Sequence, residues 1–226
     1  MARSNPSHYY WKIPMHLVMF DVDETLVHSS SFEDDCYSKA FQGVIHHPIN
    51  TDWSSYTNVT DSGILHEVID THNLDKERDT IYKKVKLNFT NNIKLHITQT
   101  PVKEIEGASA FIQILRQRDD VVLAIATGGW EETAKLKLES AGIDYSGIPF
   151  ASDSDHLTRI GIMRAAETKC LVTEFTSKTY FGDGIWDKKA SKELGFNFVL
   201  VGNQVIHSRK IMDYSSPEKV LGLMGL

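Results

Sequence analysis

From Val121 onward the chain alternates short apolar runs with amphipathic stretches, and this alternation limits the folds open to it. The runs at 121–126, 148–151, 178–181 and 198–201 are bounded by turn residues and read as buried strands. An earlier run at 16–21 has the same character. Helical patterns occupy 105–118, 130–140, 155–168, 185–194 and 216–224, with Gly142 and Gly195 stopping two of them and Ser215 or Ser216 placed to cap the last. In the first of these helices Phe111, Ile112, Ile114 and Leu115 gather on one side. Buried strands that alternate with helices specify an α/β chain whose parallel sheet is covered on both faces.

Between the first strand and the rest, the pattern breaks. Residues 29–99 are richer in His, Asn, Asp and aromatic residues, with helical patterns at 32–44, 63–72 and 76–89 and turns at His46, His47, Pro48 and at Asn50, Thr51, Asp52. No buried strand falls in this stretch. It reads as a helical insert of about seventy residues in a core made of 1–28 and 100–226, a plausible size for a subdomain of a 226-residue chain.

Charge narrows the partners. The net charge is -6, the sequence pI is about 5.9, and no Lys/Arg cluster appears, which argues against nucleic acid. Residues 1–14 lack the apolar segment of a secretory leader or a membrane span. Cys36 and Cys170 are far apart and form no CxxC pair, which suits a reduced, cytoplasmic setting. Neither His46 and His47 nor His66 and His72 share ligand spacing with nearby acids, so a histidine metal site is not expected.

Three strand ends carry polar residues of one kind. The first runs from Leu17, Val18, Met19 and Phe20 into Asp21 and Asp23. The second ends in Thr127, Gly128 and Gly129, and the fourth in Gly182, Asp183 and Gly184, followed by Asp187. In a parallel sheet these ends share one edge, where ligands of open α/β sheets bind. Neighbouring acids repel and commonly share a proton or a metal ion, and an oxygen-rich set suits Mg²⁺. A hydroxyl and bare glycine amides suit a phosphoryl group.

At this point the sequence resembles the haloacid dehalogenase-like (HAD) superfamily. DVDETLV at 21–27 matches its DxDxT motif, Thr127 its second motif, and GDGIWD at 182–187 its GDxxxD motif. Arg159 best fits its third-motif cation, with Lys169 in reserve. The resemblance implies a Rossmann-like core and makes the insert at 29–99 a helical C1 cap, as in phosphoglycolate phosphatases and β-phosphoglucomutases. Glu24 departs from it, since many members have Gly there.

The resemblance implies roles. Asp21 becomes the nucleophile that takes the phosphoryl group, and Asp23 the acid and then the base. Thr127 and the Gly128 amide hold phosphoryl oxygens, and Arg159 balances charge. Mg²⁺ is held by the Asp21 side chain, the Asp23 backbone carbonyl and Asp183, with Asp187 nearby. By analogy Thr60, Asp61 and Ser62 of the insert touch the leaving group; a helix cap at Thr60 or Asp61 is the plainer alternative. Asp187 could equally be a helix N-terminal acid, and Thr25 is expected to tie the loop rather than meet substrate. The implied activity is a phosphatase for a small phosphorylated metabolite, monomeric or homodimeric. A phosphomutase, a dehalogenase and a non-catalytic binding protein are the alternatives.

Overall fold

The computed structural model describes residues 14–172 and 174–226. The polar lead-in lies almost wholly outside them. Six strands form one parallel sheet. In chain order these are β1 (His16–Phe20), β4 (Val121–Ala126), β5 (Phe150–Ala151), β6 (Ser177–Gly182), β7 (Asn197–Val201) and β8 (Lys210–Ile211). Their spatial order is β5-β4-β1-β6-β7-β8. β1 is central because its side chains are buried on both faces. Val18 and Phe20 point into one apolar cluster, Leu17 and Met19 into the other, as a pleated strand requires. The chain steps outward from β1 through β4 to β5, then crosses to β6 on the other side. β1 is thus where the strand order reverses.

The helices α4 (Ala108–Arg116), α5 (Glu131–Ser140), α6 (Arg159–Thr168), α7 (Ile185–Leu194) and α8 (Pro217–Met224) follow the strands. α6 and α7 cover the Leu17 and Met19 face through Ile162, Met163 and Ala190. Phe20 stacks on Phe181 at 4.9 Å and meets the edges of Phe111 and Tyr214. Burying each such ring contributes roughly 1.5–3 kcal/mol, so the end of β1, and Asp21 after it, stands on a rigid floor.

The insert leaves and re-enters the core through a short antiparallel ribbon, β2 (Val27–His28) with β3 (Lys103–Glu104), which was not anticipated. It contains α1 (Ser30–Ile45), α2 (Asp61–Thr71) and α3 (Arg78–Gln99). α3 runs ten residues past the expected end at 89, because Ile81, Val85, Phe89 and Ile93 continue one buried stripe at four-residue spacing. α6 begins at Arg159 rather than 155, since Thr158 caps it by accepting the Gly161 amide. α4 starts only after Gly107, which takes φ +80. β8 is two residues long and escaped notice. Glu24, where Gly is usual, adopts φ +50; its carboxylate accepts both the Ser29 and Ser30 amides and so caps α1. Among the described residues no helix is long and apolar enough to cross a membrane.

Candidate active site

The register places the three strand ends side by side. Phe20 is opposite both Ile125 and Phe181, and the Asp21 amide donates to the Phe181 carbonyl at 2.9 Å. One carboxylate oxygen from each of Asp21, Asp183 and Asp187 falls within 4.8 Å of the others. This is a hard-oxygen set of the kind that holds a Mg²⁺-sized cation. Burial, then the neighbouring Asp187 and Asp21 charges, push the Asp183 carboxyl well up, the mark of a cluster short of positive charge. Asp187 is also pushed up, to about 7, mainly by burial. The position of Asp187 is compatible with the helix-start reading and with a place beside the acidic set. Its Oδ2 accepts the Gly184 amide at the start of α7, and its Oδ1 lies 3.3 Å from Arg159 Nε.

Arg159 reaches in from the first turn of α6. Its Nη1 is 3.2 Å from Asp21 Oδ1, which also accepts the Val22 amide at 2.8 Å. Burial opposes the Arg159 charge, but Asp21 and Asp187 outweigh it and keep the guanidinium protonated. Asp21 is only 3% exposed, and burial raises its carboxyl despite the pull of Arg159. Arg159 Nε and Nη1 are buried and face Asp187 and Asp21 without an aligned hydrogen bond, so they hold these carboxylates chiefly by charge. Gly128 is required beside it, because a Cβ there would sit 2.6 Å from Arg159 Nη2. The same holds at Gly182, where a Cβ would meet the Asp187 carboxylate. Lys169 is excluded: its ammonium is bound to the Phe150 carbonyl and to Asp155, at the far end of α6.

Asp23 is turned differently. Its Oδ1 accepts Ser29 Oγ at 2.6 Å and Lys137 Nζ at 2.5 Å. Burial alone would raise this carboxyl, but Lys137 and these bonds hold it below its ordinary range. Its carboxylate therefore lies outside the three-acid set, leaving only its backbone carbonyl for a metal. Asp23 Oδ2, Asp61 Oδ2 and Thr127 Oγ1 converge around Gly129, each within 4 Å of where its Cβ would be. Thr25 is buried and its carbonyl accepts the Tyr214 hydroxyl, but its own Oγ1 makes no hydrogen bond, so the threonine side chain does not itself tie the loop.

Lys137 was not singled out from the sequence. It is fully buried, and its ammonium is shared between Asp23 and Glu33 of α1, each at 2.5 Å. Glu33 is pushed well up by burial and by Asp23, so of the two carboxyls it binds a proton the more tightly and Asp23 is the stronger partner of Lys137. One signal pointed to it. In α5 the buried face is Thr133, Ala134 and Leu138, and Lys137 falls on that face.

The insert is docked on the core. The Asp61 amide donates to the Gly128 carbonyl, Asp61 Oδ2 accepts the Trp130 amide, and Thr60 Oγ1 donates to the Leu157 carbonyl. Thr60 also caps α2 by accepting the Gly63 amide. Beneath this contact lies a cavity of about 620 Å³, lined by Asp21, Thr127, Gly128 and Arg159 below and by Thr60 and Asp61 above. Ser62 does not reach it. Its hydroxyl faces the other way, donating to Asp153 and accepting Trp130 Nε1, because it lies on the buried side of α2. Asp153 was also unforeseen; it is buried, and desolvation pushes its carboxyl up to about 6. His47 and His72 stack on one another, and no histidine joins the metal-holding set among the described residues.

Residues 18–201 match the family model for haloacid dehalogenase-like hydrolases. No curated protein matches the sequence. Among solved structures, CbbY from Rhodobacter sphaeroides in complex with phosphate is similar at 13% identity and a TM-score of 0.69, over 94% of this chain and 100% of that one. A HAD hydrolase of family IA, variant 3, from Entamoeba histolytica gives 14% identity and 0.68, over 94% and 100%. YfnB from Bacillus subtilis, bound to magnesium, gives 16% and 0.58, over 95% and 100%. At such identities the likeness is one of fold.

Proposed function

The chain belongs to the haloacid dehalogenase-like hydrolase family, and from that premise we propose that it is a Mg²⁺-dependent phosphatase acting on a small phosphomonoester through an aspartyl-phosphate. The observation that carries this reading is the convergence of Asp21, Asp183 and Asp187 beside Arg159, at the floor of the cavity under the insert. Among the described residues, those up to 28 and those at 100–226 act as the core and 29–99 as the cap.

The Asp21 and Asp183 side chains and the Asp23 backbone carbonyl would hold the metal, with Asp187 alongside. Bound Mg²⁺ would offset the repulsion between an anionic carboxylate and an anionic phosphate and polarise the phosphoryl oxygens. An Asp21 oxygen attacks phosphorus, the ester P–O bond breaks, and its electron pair leaves on the alcohol oxygen, which takes from Asp23 Oδ2 the proton that a monoanionic phosphomonoester brings in, since Lys137 favours the ionised form of the free Asp23 carboxyl. Water then attacks the aspartyl-phosphate, Asp23 takes its proton, and the P–O bond to Asp21 breaks to free inorganic phosphate. Thr127 Oγ1 and the Gly128 amide hold phosphoryl oxygens, and the Arg159 guanidinium offsets developing charge. Lys137 and Ser29 occupy one oxygen of Asp23, which leaves Oδ2 for proton transfer. Cap closure at Asp61 and Gly128 excludes water during the first step.

The test is phosphate release from a panel of metabolite phosphomonoesters. Release that requires Mg²⁺ and stops on chelation is expected. Full activity in excess chelator would remove the metal, and no release from any ester would remove the phosphatase reading.

A further inference from the structure

The cavity is polarised in a way the phosphoryl chemistry does not use. Arg159 is its one Arg or Lys among the described residues, and Arg159 is committed to the floor. The cap side carries Asp34, Asp52 and Asp61 instead. Lys137 does not line the cavity and is held between Asp23 and Glu33. A second phosphate or a carboxylate on the substrate would therefore meet acids and no compensating charge.

The same wall holds Trp53, half-buried and lining the cavity. Its Nε1 donates to Asp34 Oδ1 at 3.0 Å, so a carboxylate is fixed at the edge of the indole. Tyr37 supports it edge-on at 6.0 Å, and Tyr37 in turn is anchored by donating its hydroxyl to the Asp61 carbonyl. An indole with one carboxylate at its edge and a second ring, Tyr56, stacked at 6.2 Å, in a cavity whose cap side carries acids, is a surface that ammonium groups bind, through ring faces and through charge.

Resting on the phosphatase reading above, we propose that the alcohol half of the substrate is a cation, an amino or quaternary-ammonium alcohol, held against Trp53 by Asp34, Asp52 and Asp61. The phosphoryl group sits on the core, and the cationic end selects the substrate from the cap.

The experiment compares kcat/KM for phosphocholine with that for its neutral tert-butyl analogue, in which carbon replaces nitrogen, and for phosphoglycerate, with p-nitrophenyl phosphate as a generic ester. Phosphocholine should exceed the neutral analogue by roughly tenfold or more, and phosphoglycerate should fall below it. Trp53→Leu and Asp34→Asn should each bring the cation-to-neutral ratio toward one. Because that ratio is taken within one preparation, partial misfolding of a variant cancels. Turnover of the generic ester with a wild-type ratio of one or less overturns this inference and leaves the phosphatase reading standing. A wild-type ratio that neither variant changes overturns the assignment to this wall. No turnover of any ester overturns both readings.

Discussion

Two buried acidic clusters meet in this cavity, and they are balanced differently. At the sheet edge, Asp21, Asp183 and Asp187 share a single guanidinium, and all three carboxyls are raised, first by burial and then by neighbouring carboxylates, against the pull of Arg159. Under the cap, Asp23 and Glu33 share one buried lysine, with Glu33 pushed up by burial and Asp23 held down by Lys137 and its hydrogen bonds. The first cluster sets three acids against one cation, the second two acids against one. Under the proposed function, a site that receives a cation keeps the larger deficit, and a joint that holds two elements together the smaller one. Removing an acid from the first should therefore cost chemistry, and removing the cation from the second should cost the fold.

The largest effect is expected at Asp21→Asn. Loss of the nucleophile should lower kcat/KM by about four decades or more. Thermal stability should hold or rise, since a crowded charge is removed from a buried site. Near-normal turnover, or a collapse in Tm, would erase the contrast between the clusters.

Asp23→Asn lies at the boundary. General acid help typically supplies 10²–10⁴-fold and matters most for basic leaving groups. Alkyl phosphates should lose about that much and aryl phosphates far less. Equal losses on both would place Asp23 in the structural cluster alone.

Lys137→Met should destabilise the protein by about 3–5 kcal/mol, the usual cost of stranding a buried partner. Glu33→Gln should cost much less, because a neutral amide replaces the carboxyl that burial and Asp23 already bias toward its protonated form. Chemical denaturation of the two variants measures this; equal losses would mean that Glu33 is ionised and the trio carries net charge.

The smallest effect concerns Asp153, at the cap–core contact. Its carboxyl stands at about 6 against an ordinary 3.8, so the folded state binds the proton more tightly. That stability is fully present below the ordinary value and is lost as pH rises through about 6. Asp153→Asn, whose carbonyl can still accept from Ser62, should match wild type near the low end of this window. Above it the variant should be more stable by about 1–2 kcal/mol. Tm measured across the window decides it, and a pH-independent difference would count against a buried ionisation.

The strand ends were legible because each is local. An apolar run ending in acid or glycine announces both a strand and what stands at its end, and the parallel register then aligns Asp21, Thr127 and Asp183. Arg159 was legible through its resemblance to a motif, but its preference over Lys169 rests on geometry. The two lie at opposite ends of α6, and only one end faces Asp21. Ser62 was misplaced because adjacent residues at a helix start point in different directions, and one step in sequence separates the cavity from the Asp153 side.

By itself the sequence determined the α/β alternation, the helical insert and the acids at the sheet edge, since these depend on apolar periodicity and on residues close along the chain. Only the tertiary structure decided which oxygens meet. Lys137 lies 114 positions from Asp23 and 104 from Glu33, and its pairing with both depends on how α5 packs against the insert. The acidic, aromatic face of the cavity is likewise assembled from α1, the turn at Trp53 and the start of α2. No local pattern encodes that face, because charge balance in a buried site is set by distance and desolvation, and both arise only when distant segments close upon one another.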